Sequence, residues 1–137
     1  MKAVILAGGL GTRPKPLTEA IPKPLLPIGE QSLLEIQIGR LREHGFDEIF
    51  LATNYKSDYI SSFFGDGSRY GVRLTISQEQ QPLSTAGPLT LLREHLNEPF
   101  ISMNGDILST INFTRFYQFA LSLNAALTVA IKQIITP

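Results

Sequence analysis

The sequence predicts an α/β fold in which helices cover both faces of a mostly parallel sheet. The first observation is an alternation between short runs rich in β-branched residues and segments with apolar residues at helical spacing. The second is size, since 137 residues with 43% apolar and 9% aromatic content suit one globular core. The third is the lack of a repeat, low-complexity tract or linker, so residues 1–137 are expected to form one domain.

Five strands and four helices are expected from local signals. The strands are predicted, in chain order, at residues 2–7, 48–53, 72–77, 100–103 and 126–131. The helices are predicted after Ser32, at 58–64, from Thr85 to about His95, and from Asn112 to Leu123. Ser32 and Glu35 have the spacing of a capping box, and Gly45 stands where a helix usually ends. Pro88 falls in the first turn of the third helix, where proline is tolerated.

A glycine-rich segment directly follows the first predicted strand. Gly8, Gly9 and Gly11 lack the side chains that would keep backbone N–H groups from a polyphosphate, and Arg13 and Lys23 add positive charge. The dinucleotide-binding fingerprint does not fit, because the place of its third small residue is taken by proline. The other common phosphate loop requires Gly-Lys followed by Ser or Thr, which the sequence lacks. The segment therefore predicts a nucleotide site of another type.

Three motifs in order resemble those of the sugar-phosphate nucleotidyltransferases, also called sugar-nucleotide pyrophosphorylases. Residues 6–29 are similar to the signature Leu-Ala-Gly-Gly-x-Gly-Thr-Arg-Leu-x-Pro-Leu-Thr followed by Pro-Lys-Pro-Leu-Leu-Pro-Ile-Gly. Residues 83–89 resemble Leu-Gly-Thr-Ala-Gly-x-Leu, and residues 104–106 resemble the metal-binding Asn-Gly-Asp. The whole set is most similar to the mannose-1-phosphate guanylyltransferase branch. The resemblance implies a Rossmann-like three-layer sandwich of the nucleotide-diphospho-sugar transferase type.

The resemblance also implies a set of site residues. In the catalytic roles, Arg13 supports the departing pyrophosphate, Lys23 neutralises the reacting phosphates, and Asp106 binds Mg²⁺. The residues expected to contact the nucleotide are Leu6, Ala7, Gly8, Gly9, Gly11, Thr12, Arg13, Lys23, Glu79, Ser84 and Thr85. Lys15 stays open between a phosphate contact and plain solvent exposure.

Glu79, or its neighbour Gln78, stands where the family places a side chain that helps to bind the base. A carboxylate accepts well from the adjacent N–H and amino groups of guanine, so Glu79 favours GTP. The alternative is an exposed polar residue at a strand end. Two departures from the family pattern bear on nucleotide binding. Pro14 replaces leucine, and Ser84 replaces a glycine whose position could require a positive φ.

The expected reaction joins a nucleoside triphosphate to a sugar 1-phosphate, giving a nucleotide sugar and pyrophosphate, with GTP and mannose 1-phosphate or a related sugar favoured. Family members usually carry a longer catalytic domain, so the chain is expected to represent its N-terminal, nucleotide-binding part. Turnover by these 137 residues alone is an open question. The alternative is a nucleotide-binding module without turnover. An incomplete sheet would expose apolar side chains, which favours a homo-oligomer.

Charge and cysteine content exclude several other functions. Twelve basic residues balance twelve acidic ones, so nucleic acid is not an expected partner. The sequence contains no cysteine, which excludes disulfides, thiolate metal sites and a thiol nucleophile and is typical of a cytoplasmic enzyme. The first apolar run is too short for a signal or membrane segment, so no membrane partner is expected.

Overall fold

The structure, a computed structural model, describes residues 1–7, 27–28, 31–53, 57–81 and 83–135. In chain order its strands are β1 (Lys2–Leu6), β2 (Pro27–Ile28), β3 (Gln31–Ser32), β4 (Glu48–Thr53), β5 (Arg73–Gln78) and β6 (Phe100–Asn104). Its α-helices are α1 (Leu33–Glu43), α2 (Ser57–Phe64) and α3 (Phe113–Ser122). Two 3₁₀ helices span Ser68–Tyr70 and Gly87–Leu92.

The main sheet has four parallel strands in the order β5-β4-β1-β6. The short strands β2 and β3 pair antiparallel in a separate ribbon, which the sequence did not predict. Because β1 is the first strand of the main sheet, the chain builds outward through β4 and β5 and then returns to add β6 on the other side. This is the order of the first four strands of the doubly wound nucleotide-binding folds.

The two faces of the sheet carry separate apolar clusters. On one face, Ile5 packs with residues of all three α-helices, including Ile38, Ile60 and Phe113. On the other, Val4 and Phe50 pack with residues of the second 3₁₀ helix. Helices therefore cover both faces of a mostly parallel sheet, which confirms the predicted three-layer α/β architecture.

The start of α1 agrees with the sequence prediction in detail. The Glu35 N–H donates to Ser32 Oγ at 3.2 Å, and the Ser32 N–H donates to Glu35 Oε1 at 3.1 Å, which completes the capping box. The helix ends just before Gly45, whose φ of 85° is readily adopted only by glycine. The strand predicted at 48–53 is exact, and the other main-sheet strands agree within one residue at each end.

The helix predicted from Thr85 to about His95 was wrong in both type and cap. The segment forms a 3₁₀ helix whose N-cap is Ala86, with no side-chain capping bond. Its backbone bonds join residues three apart, as from Leu89 N–H to Ala86 O at 3.1 Å. Pro88 lacks a donor, and the Thr90 hydroxyl donates to the Gly87 carbonyl at 2.7 Å. Both features compete with the longer-range bonds of an α-helix.

The strand predicted at 126–131 was also wrong, since residues 125–135 contain no regular secondary structure. Leu127, Val129 and Ile131 have the expected alternation, but all three are exposed, Ile131 to 89%. A strand requires a neighbouring backbone to satisfy its N–H and C=O groups. Within the described residues this segment has no such partner.

Candidate functional site

Four parallel strands bring their carboxyl ends to one edge of the sheet. The order reverses between β1 and β6, and ligands of open α/β sheets bind in the crevice beside such a reversal. Leu6 and Ala7 lie at the end of β1, and Asp106 follows β6 directly. The predicted site residues Gly8, Gly9, Gly11, Thr12, Arg13 and Lys23 lie outside the described residues, as do Pro14 and Lys15.

The turn that bears Asp106 is in direct backbone contact with the end of β1. The Gly105 N–H donates to the Leu6 carbonyl oxygen at 2.9 Å, and the Ile107 N–H reaches the Asn104 carbonyl at 3.4 Å. A Cβ atom at Gly105 would lie 3.2 Å from that Leu6 oxygen and 3.3 Å from Ala7 Cα. The close approach therefore favours glycine at this position. The structure thus joins two of the predicted motifs, since Leu6, Ala7 and the Asp106 turn are immediate neighbours.

Two polar side chains of α1 hold the end of β6 and the segment after it, and neither was predicted from the sequence. Gln37 is buried, and its Nε2 donates to the carbonyl oxygens of Asn104 at 3.0 Å and Ile107 at 2.6 Å. Arg40 donates to the carbonyls of Ser109 and Ile111, the latter at 2.8 Å. The available signal was a glutamine on the otherwise apolar face of α1.

Glu79 begins the second region of the candidate site, at the end of β5. Its N–H donates to the Thr53 carbonyl at 2.8 Å, and its Oε2 accepts from the Leu83 N–H at 3.1 Å. The residue is only 7% exposed, so it is not the exposed polar residue that the alternative interpretation assumed. A contact between Glu79 and a base stays a prediction.

The turn after Glu79 contains the predicted site residues Ser84 and Thr85, both exposed. Ser84 has a φ of 66°, so the position does require the left-handed backbone conformation that a glycine adopts without strain. A Cβ atom at Gly87 would lie 2.6 Å from Leu83 Cβ, which excludes larger residues there without a shift. The turn is therefore tightly constrained at both ends.

No group of three or more histidine, cysteine or acidic residues arranged to hold a metal ion occurs among the residues that the structure describes. Asp66 has a lowered pKa, chiefly because its carboxylate accepts from the Ser68 backbone N–H. It lies at the opposite edge of the sheet, where its carbonyl accepts from Leu74 near the start of β5. Asp66 is thus a turn residue, as its sequence context indicates.

Comparison with known proteins identifies the family of this α/β domain. Residues 2–136 match the family model described as nucleotidyl transferase, and the chain belongs to that family. Mannose-1-phosphate guanylyltransferase 1 of Arabidopsis thaliana is 37% identical, over 100% of this chain and 39% of that protein. The catalytic subunit beta of mannose-1-phosphate guanylyltransferase from Xenopus tropicalis is 40% identical over 87% of this chain and 34% of its own length.

The fold agrees with that of a solved relative. The crystal structure of HddC from Yersinia pseudotuberculosis complexed with GMP-PN superposes with a TM-score of 0.77 at 31% identity. The match covers 88% of this chain and 54% of that one. The chain thus spans roughly two fifths or less of the two curated relatives' length, and about half of this solved chain. Among the described residues no helix is long and apolar enough to cross a membrane.

Proposed function

We propose that this chain provides the nucleotide-binding part of a sugar-1-phosphate nucleotidyltransferase that uses GTP and mannose 1-phosphate or a related sugar phosphate. The observation that carries the proposal is the contact between Gly105 and Leu6, which joins the Asn-Gly-Asp turn to the end of β1, the strand that precedes the glycine-rich segment in the sequence. The names of the relatives support the same activity. A module without turnover would also bind nucleotide, but the relatives do not favour it.

In the proposed reaction a phosphate oxygen of the sugar phosphate attacks the α-phosphorus of the triphosphate in line. A new P–O bond forms, the bond from the α-phosphorus to the bridging oxygen breaks, and pyrophosphate leaves with that electron pair. Arg13 carries a planar fork suited to the leaving pyrophosphate, and Lys23 carries a point charge suited to the α-phosphate. The protein contributes by positioning and by neutralising charge, without a covalent intermediate.

Asp106 is the residue proposed to hold Mg²⁺. Asp106 is exposed at the carboxyl edge of the sheet, where the triphosphate would lie. Mg²⁺ commonly binds through one or two carboxylates while substrate phosphates and water complete its coordination, so a single aspartate in an open turn fits this ion. When bound, the ion would reduce the negative charge on the phosphates.

Guanine selection is assigned to Glu79. β5 lies two strands from β1, or about 10 Å in the hydrogen-bonding direction, so a nucleotide at this edge could have its base near β5 and its phosphates near β1 and β6. One carboxylate oxygen of Glu79 accepts from Leu83, and the other oxygen is the one that we assign to the guanine N–H groups. The family relationship and the cysteine-free sequence further favour a cytoplasmic enzyme.

Titration calorimetry of the chain with GTP, GMP, ATP and UTP in Mg²⁺ tests the proposal. GTP should bind more tightly than GMP, and Arg13→Ala should remove most of that difference while circular dichroism shows the fold intact. Glu79→Gln keeps an oxygen that can accept from Leu83 but loses the negative charge. It should therefore lower the affinity for GTP more than the affinity for ATP or UTP. Equal affinity for GTP and GMP would overturn the assignment of Arg13, and equal losses for all bases that of Glu79.

A further inference from the structure

Gln37 is a buried amide aimed at the turn that bears Asp106. Its side chain is 1% exposed and lies on the face of α1 formed otherwise by Leu33, Leu34, Ile38 and Leu41. The two carbonyl oxygens that its Nε2 reaches belong to Asn104 and Ile107, 67 and 70 residues further along the chain. These are the first and last residues of the turn, so the amide bridges both ends of the four-residue segment that contains Asp106.

Burial of Gln37 has a cost that an apolar residue would avoid. Its Oε1 is buried without a hydrogen-bond partner within the part of the chain that the structure describes. An unpaired buried carbonyl loses its hydration without compensation, whereas leucine or methionine would complete the apolar face of α1. The stabilising contribution of Gln37 is therefore found in its two donated bonds, which fix the position of the turn.

The turn is held from two sides. Gly105 anchors it to the end of β1 through the bond to Leu6, and Gln37 anchors its two ends to α1. We propose that Gln37 is a positioning residue that sets where the Asp106 carboxylate can meet a divalent cation bound with the nucleotide. This inference rests on the proposed function, in which Asp106 binds the metal.

Arg40 provides a matched comparison on the same helix. It lies three residues after Gln37 and also donates to two carbonyls of the segment after β6, but these belong to Ser109 and Ile111, beyond the turn. Its guanidinium also stacks over the Phe113 ring, at 4.9 Å from the centroid. Loss of Arg40 should therefore disturb the segment that leads into α3, and it should leave the Asp106 turn in place.

The test measures binding of Mn²⁺ by electron paramagnetic resonance, with a non-hydrolysable GTP analogue present, to the chain and to Gln37→Met and Arg40→Met. Gln37→Met should lower the affinity for Mn²⁺ about tenfold, which is the usual effect of removing a residue that orients a metal ligand. The affinity for the GTP analogue without metal should stay unchanged. Arg40→Met should lower thermal stability but change the Mn²⁺ affinity less than about twofold. Equal effects of the two variants, or none from Gln37→Met, would overturn the inference.

Gln37→Asn supplies a second readout if the methionine variant does not fold. It keeps a buried amide, but its side chain is one methylene shorter and cannot bridge both turn carbonyls. Its Mn²⁺ affinity should also fall relative to the unmodified chain, and an unchanged affinity would count against the inference. If the unmodified chain shows no nucleotide-dependent Mn²⁺ binding, the metal role of Asp106 fails and the inference with it. Normal binding with Gln37→Met unaffected rejects the inference alone.

Discussion

At the scale of single residues, Gly105 decides how closely the Asp106 turn approaches β1. An added Cβ would lie 3.2 Å from the Leu6 carbonyl oxygen and 3.3 Å from Ala7 Cα, and both of these neighbouring atoms belong to the backbone at the end of β1. Gly105→Ala should therefore lower the free energy of unfolding by about 1–3 kcal/mol, the usual cost of overpacking. A Cβ atom added at Gly39, inside α1, would have no neighbouring atom within 4 Å, so Gly39→Ala should instead raise the free energy of unfolding by about 0.5–1 kcal/mol. Urea denaturation measures both, and a neutral Gly105→Ala would contradict the close approach.

Other residues show what a single sequence can and cannot specify at this scale. The motif positions predicted that Leu6, Ala7 and Asp106 belong to one site, and the Gly105 contact brings them together. The burial of Glu79 could not be predicted, because it depends on contacts formed in the folded chain, among them the bond from the Leu83 N–H. Gln37 was missed since its partners lie 67 and 70 residues away, and no local pattern relates them. The roles of Arg13 and Lys23 stay predictions.

At the scale of elements, the turn between β5 and the second 3₁₀ helix carries backbone strain. Ser84 adopts a φ of 66°, which costs a residue with a Cβ about 1–2 kcal/mol. Ser84→Gly should raise the free energy of unfolding by about 1 kcal/mol, because glycine adopts this φ without strain. It should also tighten GTP binding, because it removes a side chain from a turn that is expected to contact the nucleotide. Thr85 has no positive φ, so Thr85→Gly should destabilise the chain. Thermal unfolding with and without GTP measures both effects, and a loss of stability in Ser84→Gly would contradict the strain.

Helices and strands whose sequence signals lie within a few neighbouring residues could be predicted. Those that depend on competing bonds or on a neighbouring strand could not. The capping box of α1 and the alternating strands depend on neighbours within a few residues. Residues 87–92 form a 3₁₀ helix because Pro88 and the Thr90 hydroxyl compete with the hydrogen bonds of an α-helix. The spacing of apolar residues does not show how strong this competition is. Residues 126–131 have the alternation of a strand but lack a neighbouring backbone within the described chain.

At the scale of the whole molecule, one edge of the described sheet is open and lies beside exposed apolar side chains. β6 is an edge strand whose second side pairs with no other described strand. A cavity of about 400 Å³ lies between β6, α3 and residues 127–130, lined by Ile101, Met103, Phe116 and Leu127. Several apolar side chains of the following segment face solvent, and they are Leu127, Val129, Ile131, Ile134 and Ile135. An open strand edge beside a row of exposed apolar side chains is a typical surface for association.

We expect a second copy of the chain to cover this surface, so the chain should self-associate in solution. Light scattering at increasing concentration should give a mass above that of one 15.1 kDa chain. The double variant Val129→Lys and Ile131→Lys removes two apolar side chains and places like charges on both copies, so it should shift the equilibrium to monomer. Gln133→Lys adds charge to the same segment without removing apolar surface and should change the mass little. A monomer at all concentrations would refute the prediction. Association that the double variant leaves intact would assign it to another surface, because this one then carries like charges on both copies and has lost two of its five exposed apolar side chains.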